Sequence, residues 1–367
     1  MQQRHTRSLI AFSVVGALAL AACGDDAETP AGTDAPAGTT APAGTEASAA
    51  GSLAGVCPET VVIQTDWNPE AEHGDTGVDL EVRSGGPAIG FTTVTSQMYT
   101  DDSILLGYVY TDEAIQNSVE FPTVAIESGF EKNPQMIMWD PATYPDVKTI
   151  ADVGKEGILV RYFGGAAYME YFLAEGILSN DQVDGSYDGT PALFIADQGA
   201  SAQQGFGSAE PYIYANDVAD WMKPVSYAYI NDAGWENYAE SIATKPENVT
   251  KYADCFTKLV PMIQQSSVDY LADPAAANAI VLDAVAKFDN GWVYTQGVAD
   301  YGVATIKGDG LVANGPDSTV GNFDLDRVNA LIAKAIPVYT ALGQPPKDGL
   351  KAEDIVTNQF IDESIGL

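Results

Sequence analysis

Apolar and polar positions alternate along most of the chain with two different periods. Thr60 to Thr65 holds Val61, Val62 and Ile63 in one short run, and Val78 to Val82 alternates apolar with acidic side chains. Both read as strands, the second closed by the turn Gly85-Gly86-Pro87. Ser103 to Tyr110 is a third, almost wholly apolar strand, and Thr111-Asp112-Glu113 directly after it has the composition of a helix start. Thr123 to Glu127, Met136 to Trp139 and Gly157 to Tyr162 are further strands, with a short helix over Val147 to Val153 and another over Ala166 to Glu175 that turns its aromatic residues inward. Beyond about Asn248 strand signals fade, and helices are predicted over Val249 to Ser266, Pro274 to Phe288 and Leu325 to Ala341. Strands that alternate with helices predict an α/β fold with parallel pairing, in which ligands bind at the carboxyl ends of strands.

The first residues follow a different pattern. Arg4 and Arg7 precede an apolar run from Leu9 to Ala22, too short to span a bilayer and suited to the central region of a secretory signal peptide. It ends in Leu20-Ala21-Ala22-Cys23, which resembles a bacterial lipobox. Residues 1–22 are therefore expected to be a lipoprotein signal peptide and Cys23 a lipidated first residue, anchoring the protein at the extracytoplasmic face of the cell membrane by acyl chains. Pro30-Ala31-Gly32-Thr33 recurs at Pro36-Ala37-Gly38-Thr39 and Pro42-Ala43-Gly44-Thr45. Nothing there can fill a core, so residues 23–56 read as a disordered Ala/Thr/Gly/Pro tether.

Charge narrows the function classes. Of the 367 residues, 51 are Asp or Glu against 17 Lys or Arg, a formal charge of -34. Such a chain is repelled by phosphate backbones, which argues against nucleic acid as a partner. Besides Cys23 there are two cysteines, Cys57 and Cys255, with no CxxC or Cys/His cluster near them. In an exported chain an even pair points to a disulfide, two buried thiols being the alternative.

Several segments carry a resemblance. Trp67-Asn68-Pro69-Glu70-Ala71-Glu72-His73-Gly74 follows the first strand, and after it come, in order, Val82-Arg83-Ser84-Gly85-Gly86-Pro87, Leu106-Gly107-Tyr108, Phe121-Pro122-Thr123-Val124-Ala125, Val160-Arg161-Tyr162-Phe163-Gly164-Gly165, Gln204-Gly205-Phe206 and Glu210-Pro211-Tyr212. In content and order these segments, over about residues 58 to 300, resemble the NMT1/THI5-like solute-binding proteins of ABC importers. The resemblance implies a two-lobed type II periplasmic-binding-protein fold with a ligand cleft between the lobes and a helical C-terminal region. Lobe one would take residues 57–139 and, with the C-terminal helices, 230–367, and lobe two would be residues 140–229. One departure stands out: Gly74-Asp75-Thr76-Gly77 joins the His73 segment almost directly to the second strand, where the family has a helix.

Candidate ligand residues fall on loops at strand ends, and each has a purely structural rival. Trp67, beside Asn68, can stack on a flat ring or plug the core, and His73 can bind ligand or sit exposed. Gly85 and Gly86 let backbone amides approach a ligand, or serve only the turn. Thr111 and Asp112 mark a strand-to-helix junction, as does Tyr162-Phe163-Gly164-Gly165, where amides could face an acceptor. Glu210 could accept hydrogen bonds from ring amino groups, with Tyr212 lining the pocket. Together these suggest a planar heterocycle such as a thiamine pyrimidine precursor, with a flavin, nitrate or a sulfonate as alternatives.

Catalytic signatures are lacking. There is no G-x-S-x-G, no H-E-x-x-H, and Gly154-Lys155 continues with Glu156 rather than Ser or Thr. A carboxylate-pair hydrolase is the residual catalytic reading from composition. The resemblance adds a pyridoxal-phosphate-dependent pyrimidine synthase, which would need a histidine-rich site and a Cys cluster, and a surface protein with a vestigial cleft. The leading expectation is a non-enzymatic, monomeric receptor with neither metal nor cofactor that delivers a small solute to an ABC permease.

If Cys23 carries the lipid, Cys23→Ala should release the protein into the medium or leave it uncleaved, as read by fractionation and the mass of the N-terminal peptide. A processed, detergent-requiring variant would refute the lipobox.

Overall fold

Apolar runs of five or six residues with β-branched side chains are the seeds of the sheets. The computed structural model describes residues 53–66, 79–288 and 293–367, all within one compact unit, Ser48–Leu367. Cys23, the tether, Trp67, Asn68, His73 and the Gly74–Gly77 connection lie outside the described residues.

Two five-stranded mixed sheets organise the chain. In the first, β1 (Thr60–Gln64) pairs in parallel with β2 (Asp79–Arg83) on one side and β3 (Ile104–Val109) on the other. β3 is buried at every position, as expected of a strand covered on both faces. Its other neighbour is β10 (Ser241–Thr244), which runs antiparallel to it and to the edge strand β4 (Val124–Glu127). The second sheet has the order β7 (Val183–Asp184), β6 (Val160–Arg161), β8 (Ala202–Phe206), β5 (Gln135–Trp139), β9 (Ser226–Tyr229). Here β5 is antiparallel to both its neighbours. Each sheet is thus completed, one place from its edge, by the strand that arrives directly from the other sheet.

This arrangement corrects the expected lobe boundaries. β5, read with the first lobe, belongs to the second sheet, so the chain crosses over between Glu127 and Gln135 and returns between Tyr229 and Ser241. The C-terminal region also divides. Helix α8 (Ala253–Ala272) covers the first sheet with Cys255, Phe256, Leu259 and Val260. α9 (Ala275–Phe288) and α10 (Gln296–Gly308) instead pack Val281, Val285, Val298 and Ala299 on Ala209 and Tyr212 beside the second sheet. α11 (Leu325–Ala341) lies against both α2 (Thr111–Gln116) of the first lobe and α4 (Ala167–Ala174) of the second.

Most helices begin where local chemistry starts them. Thr93 Oγ1 accepts from the Ser96 amide to open α1 (Val94–Thr100), and Thr149 with Asp152 forms a reciprocal cap on α3 (Ile150–Lys155). The side chain of Asp324 accepts from the Asp326 and Arg327 amides at the start of α11. That cap places Arg327 over the crossover, where Nη1 donates to the Glu131 carbonyl (2.7 Å) and carboxylate (2.9 Å) and Nε to the Glu236 carbonyl (2.9 Å). Its guanidinium also stacks on the Tyr238 ring at 3.9 Å. Among the described residues no helix is long and apolar enough to cross a membrane.

Cys57 and Cys255 are joined by a disulfide that ties the segment before β1 to α8. The bridge closes a separation of 198 residues, for which the chain-entropy argument gives a stabilisation of about 5 kcal/mol. Replacing both cysteines by alanine should therefore lower the unfolding free energy by about 5 kcal/mol, read as a lower urea midpoint; an unchanged midpoint would show that the unfolded chain is not restrained by it.

Candidate functional site

The carboxyl ends of β1, β6 and β8 converge on a narrow cleft between the sheets. It encloses about 80 Å³ and is lined by Asp66 just after β1, Phe163 just after β6, Gln204 to Phe206 at the end of β8, Tyr187, Glu210 and Glu240. Asp66 belongs to the first lobe, Glu240 to the returning crossover, and the others to the second lobe.

Each wall has a local cause. Gly85 approaches the exit of β1 so closely that a Cβ there would lie 2.2 Å from the Thr65 carbonyl oxygen, so this turn next to Asp66 admits only glycine. Gly86 then takes a φ of +54° to begin a 3-10 turn over Gly86–Ile89. Opposite, the Phe163 ring packs against Tyr187 at 4.8 Å and faces exposed Phe91 of the first lobe at 6.4 Å. Gln204 is held by two donors to its Oε1, the Phe163 amide at 3.1 Å and the Tyr168 hydroxyl at 2.5 Å. This fixes the carboxamide orientation, so Nε2 is the end of Gln204 that remains to donate.

Glu210 opens α6 (Glu210–Asn216) and accepts from the Phe206 amide at 2.8 Å. Burial pushes its carboxyl up to about 7. Glu240 stands in the left-handed region at φ +48°, a conformation a non-glycine residue adopts only when its surroundings impose it. Here the constraint is Gly129 of the outgoing crossover, where a Cβ would come within 2.6 Å of the Glu240 carbonyl oxygen.

A shallow hollow lies beside the cleft, walled by Tyr110, Asp112, Glu113, Gly165 and Tyr168. Asp112 accepts from Trp235 Nε1 (3.1 Å) and Asn237 Nδ2 (2.8 Å) of the returning crossover, and burial raises its carboxyl above the ordinary value. Glu113 accepts from the amide and hydroxyl of Thr95 and is pushed up to about 7 by burial.

The expected site residues therefore separate. Phe163 and Glu210 line the cleft, Gly85 supports it, and Asp112 and Gly165 border the hollow. Thr111 is instead buried with its hydroxyl accepting from the Tyr238 amide at 2.9 Å, fastening the crossover to α2. Tyr162 turns into the hydrophobic core rather than the cleft, because its neighbour Phe163 occupies the alternate face of the chain. Gly164 sits against the Gly185 carbonyl on the surface. Tyr212 points at α10, its hydroxyl over Gly297 and its ring 5.8 Å from Tyr301, since two residues on from Glu210 a helix presents a different face. Trp67, Asn68 and His73 are beyond the described residues. Asp66, Tyr187, Gln204, Phe206 and Glu240 line the cleft without being among the residues expected from sequence. Only Asp66, at the end of a predicted strand, had a usable signal.

Among the described residues, no Lys, Arg or His lines the cleft. Arg161 is engaged by Asp184 and Asp197, and Arg83 by Glu81 and Asp101. No group of three His, Cys, Asp or Glu among the described residues is placed to hold a metal ion.

Two mixed sheets joined by two chain crossings, with a cleft at the strand ends between them, decide the architecture. It is the two-lobed periplasmic-binding-protein fold. No family model matches the chain, and no curated protein matches it in sequence. Solved structures with this binding-protein fold include an alkanesulfonate-binding protein from Xanthomonas axonopodis bound to MOPS, at 12% identity and a TM-score of 0.52, covering 82% of this chain and 99% of that one. The aliphatic sulphonate-binding protein of Escherichia coli aligns at 16% identity with a TM-score of 0.53, over 83% of this chain and 92% of its own. A nitrate-binding protein from Synechocystis aligns at 11% identity with a TM-score of 0.51, over 82% and 87%.

Buried carboxyls give this fold a distinct pH profile. Glu113, Glu131 and Glu210 are pushed up to about 7 and Glu127 to about 8, each chiefly by burial, from an ordinary 4.5. The native state then holds protons that the unfolded chain has released, so stability is fullest below about 4.5 from these groups and falls as pH rises toward 8. The melting temperature should accordingly drop between pH 5 and pH 8, and Glu127→Gln or Glu210→Gln should flatten part of the slope; a rise over that window would contradict it.

Proposed function

We propose that this protein is an extracytoplasmic solute-binding lipoprotein of an ABC importer, capturing a small planar heterocycle such as a thiamine pyrimidine precursor. The fold and its sulfonate- and nitrate-binding neighbours support the receptor class, and the leader and Cys23 support lipid anchoring outside the membrane. One observation carries the ligand class. The cleft offers a fixed amide donor, Gln204 Nε2, among three carboxylates, Asp66, Glu210 and Glu240, with Phe163 and Tyr187 providing ring faces. An aminopyrimidine edge alternates ring-nitrogen acceptors with amino donors and matches that set. Glu210, already held by the Phe206 amide, would accept from an amino group of the ligand as well.

The nitrate or sulfonate reading draws on the neighbours, but an anion would meet carboxylates here and no lining cation. A volume of about 80 Å³ is on the scale of one ring rather than a tricyclic flavin. No cofactor enters this reading, and a pyridoxal-phosphate enzyme is not supported by a chain whose two histidines are His5 and His73. The partners are then the solute, an ABC permease and the membrane through its anchor, with the protein acting as a monomer.

A thermal-shift panel of aminopyrimidines, flavins, nitrate and sulfonates should show stabilisation by the aminopyrimidines alone, about 2.7 kcal/mol at 100 times the dissociation constant. Calorimetry should then find Trp67→Ala and Glu210→Gln folded and weakened by about 1–3 kcal/mol. Wild-type binding by both variants would remove the cleft as the site.

A further inference from the structure

A second and larger cavity, of about 280 Å³, shares Glu240 with the cleft but is otherwise built from different elements. Glu127 at the end of β4 forms one side, Phe130 of the outgoing crossover and Ile242 of β10 another, and Ile263 to Leu271 of α8 with Ala276 and Ala277 of α9 the rest. Glu127 is 1% exposed, and its Oε2 receives no hydrogen bond from any group among the described residues. Room for the carboxylate is kept by Gly321, where a Cβ would fall 2.7 Å from Glu127 Oε1.

A buried carboxylate without a donor is costly, and a cavity open beside it is where a donor can enter. Asp269, Asp273 and Glu240 line the same space, and among the described residues no Lys, Arg or His does, so the lining favours a cation over an anion. A metal ion is not favoured either, since among the described residues no three of these or other carboxylates come close enough together to ligate one. What remains is a charged donor on an apolar body, which the isoleucine, leucine and phenylalanine walls would desolvate.

We propose that this cavity is a second binding site, taking a small primary ammonium compound with a hydrocarbon or aromatic body whose cationic head pairs with Glu127. Burial pushes the Glu127 carboxyl up to about 8, consistent with a group that lacks its counter-ion. The site is separate from the cleft reading and stands whether or not the cleft binds a pyrimidine.

Benzylamine, benzyl alcohol and benzoate are isosteric probes of opposite or no charge, and can be titrated calorimetrically into the protein near pH 8, where the Glu127 carboxyl is in part ionised. Benzylamine should bind, and benzyl alcohol and benzoate should bind at least tenfold more weakly or not at all. Glu127→Gln should weaken benzylamine at least tenfold, and Ala277→Phe, which fills the cavity, should abolish binding while the melting curve stays cooperative. Glu210→Gln should leave benzylamine affinity within about twofold. If Glu127→Gln fails to fold, Ala277→Phe decides the question. Failure of benzylamine to bind, equal binding of the three probes, retention by Ala277→Phe, or loss in Glu210→Gln with retention in Glu127→Gln would overturn the proposal; the last result would put the cation in the cleft.

Discussion

Arg327 is the contact on which the two lobes depend. Its guanidinium reaches both chain crossings at once, bonding Glu131 on the outgoing one and the Glu236 carbonyl on the returning one while stacking on Tyr238. An arginine suits this position because its planar fork can donate in several directions and still present a face to an aromatic ring. The pair with Glu131 is largely out of water, so losing either partner would strand a charge rather than merely delete a bond. Around this clamp Thr111 and Asp112 of α2 hold the returning segment from the other side. The crossings are therefore braced by helices of known polarity, and the cleft inherits its width from them.

The cleft inherits its chemistry from the same place. Two of its carboxylates, Asp66 and Glu240, are set by backbone that cannot move aside: Gly85 presses on the exit of β1, and Gly129 on Glu240. The third, Glu210, is pinned by the Phe206 amide at the start of a helix. Close backbone packing, rather than long flexible side chains, thus positions acceptors against a single oriented amide. A cleft built in this way has little side-chain freedom to lose.

Much of the first sheet could be read from sequence because Val61 to Ile63 and Ile104 to Leu106 are continuous apolar runs. The helix over Leu325–Ala341 was legible for a similar reason, its apolar residues recurring at helical spacing behind Asp324. β10 was not, since Ser241-Ile242-Ala243-Thr244 is short and half polar, and its burial comes from β3 and β4 on either side. β5 was recognised as a strand yet placed in the wrong sheet, because periodicity reports local conformation and says nothing about which neighbour a strand joins. The site shows the same division. Phe163 and Glu210 lie at readable strand and helix ends, whereas Glu240 acquires its role from a crossover conformation that no local pattern encodes.

The insertion of the second sheet between β4 and β10 of the first has a consequence for the order in which the molecule can be assembled during synthesis. The second sheet draws all five strands from one continuous stretch, Gln135 to Tyr229, and can close as soon as that stretch has been synthesised. The first sheet begins earlier in the chain but lacks its antiparallel member until Ser241–Thr244 emerges, and Cys57 has no Cys255 to meet until later still. The N-terminal lobe is thus the later one to be completed, and β3, the most apolar strand of the molecule, waits with one edge unpaired while the entire second lobe is made.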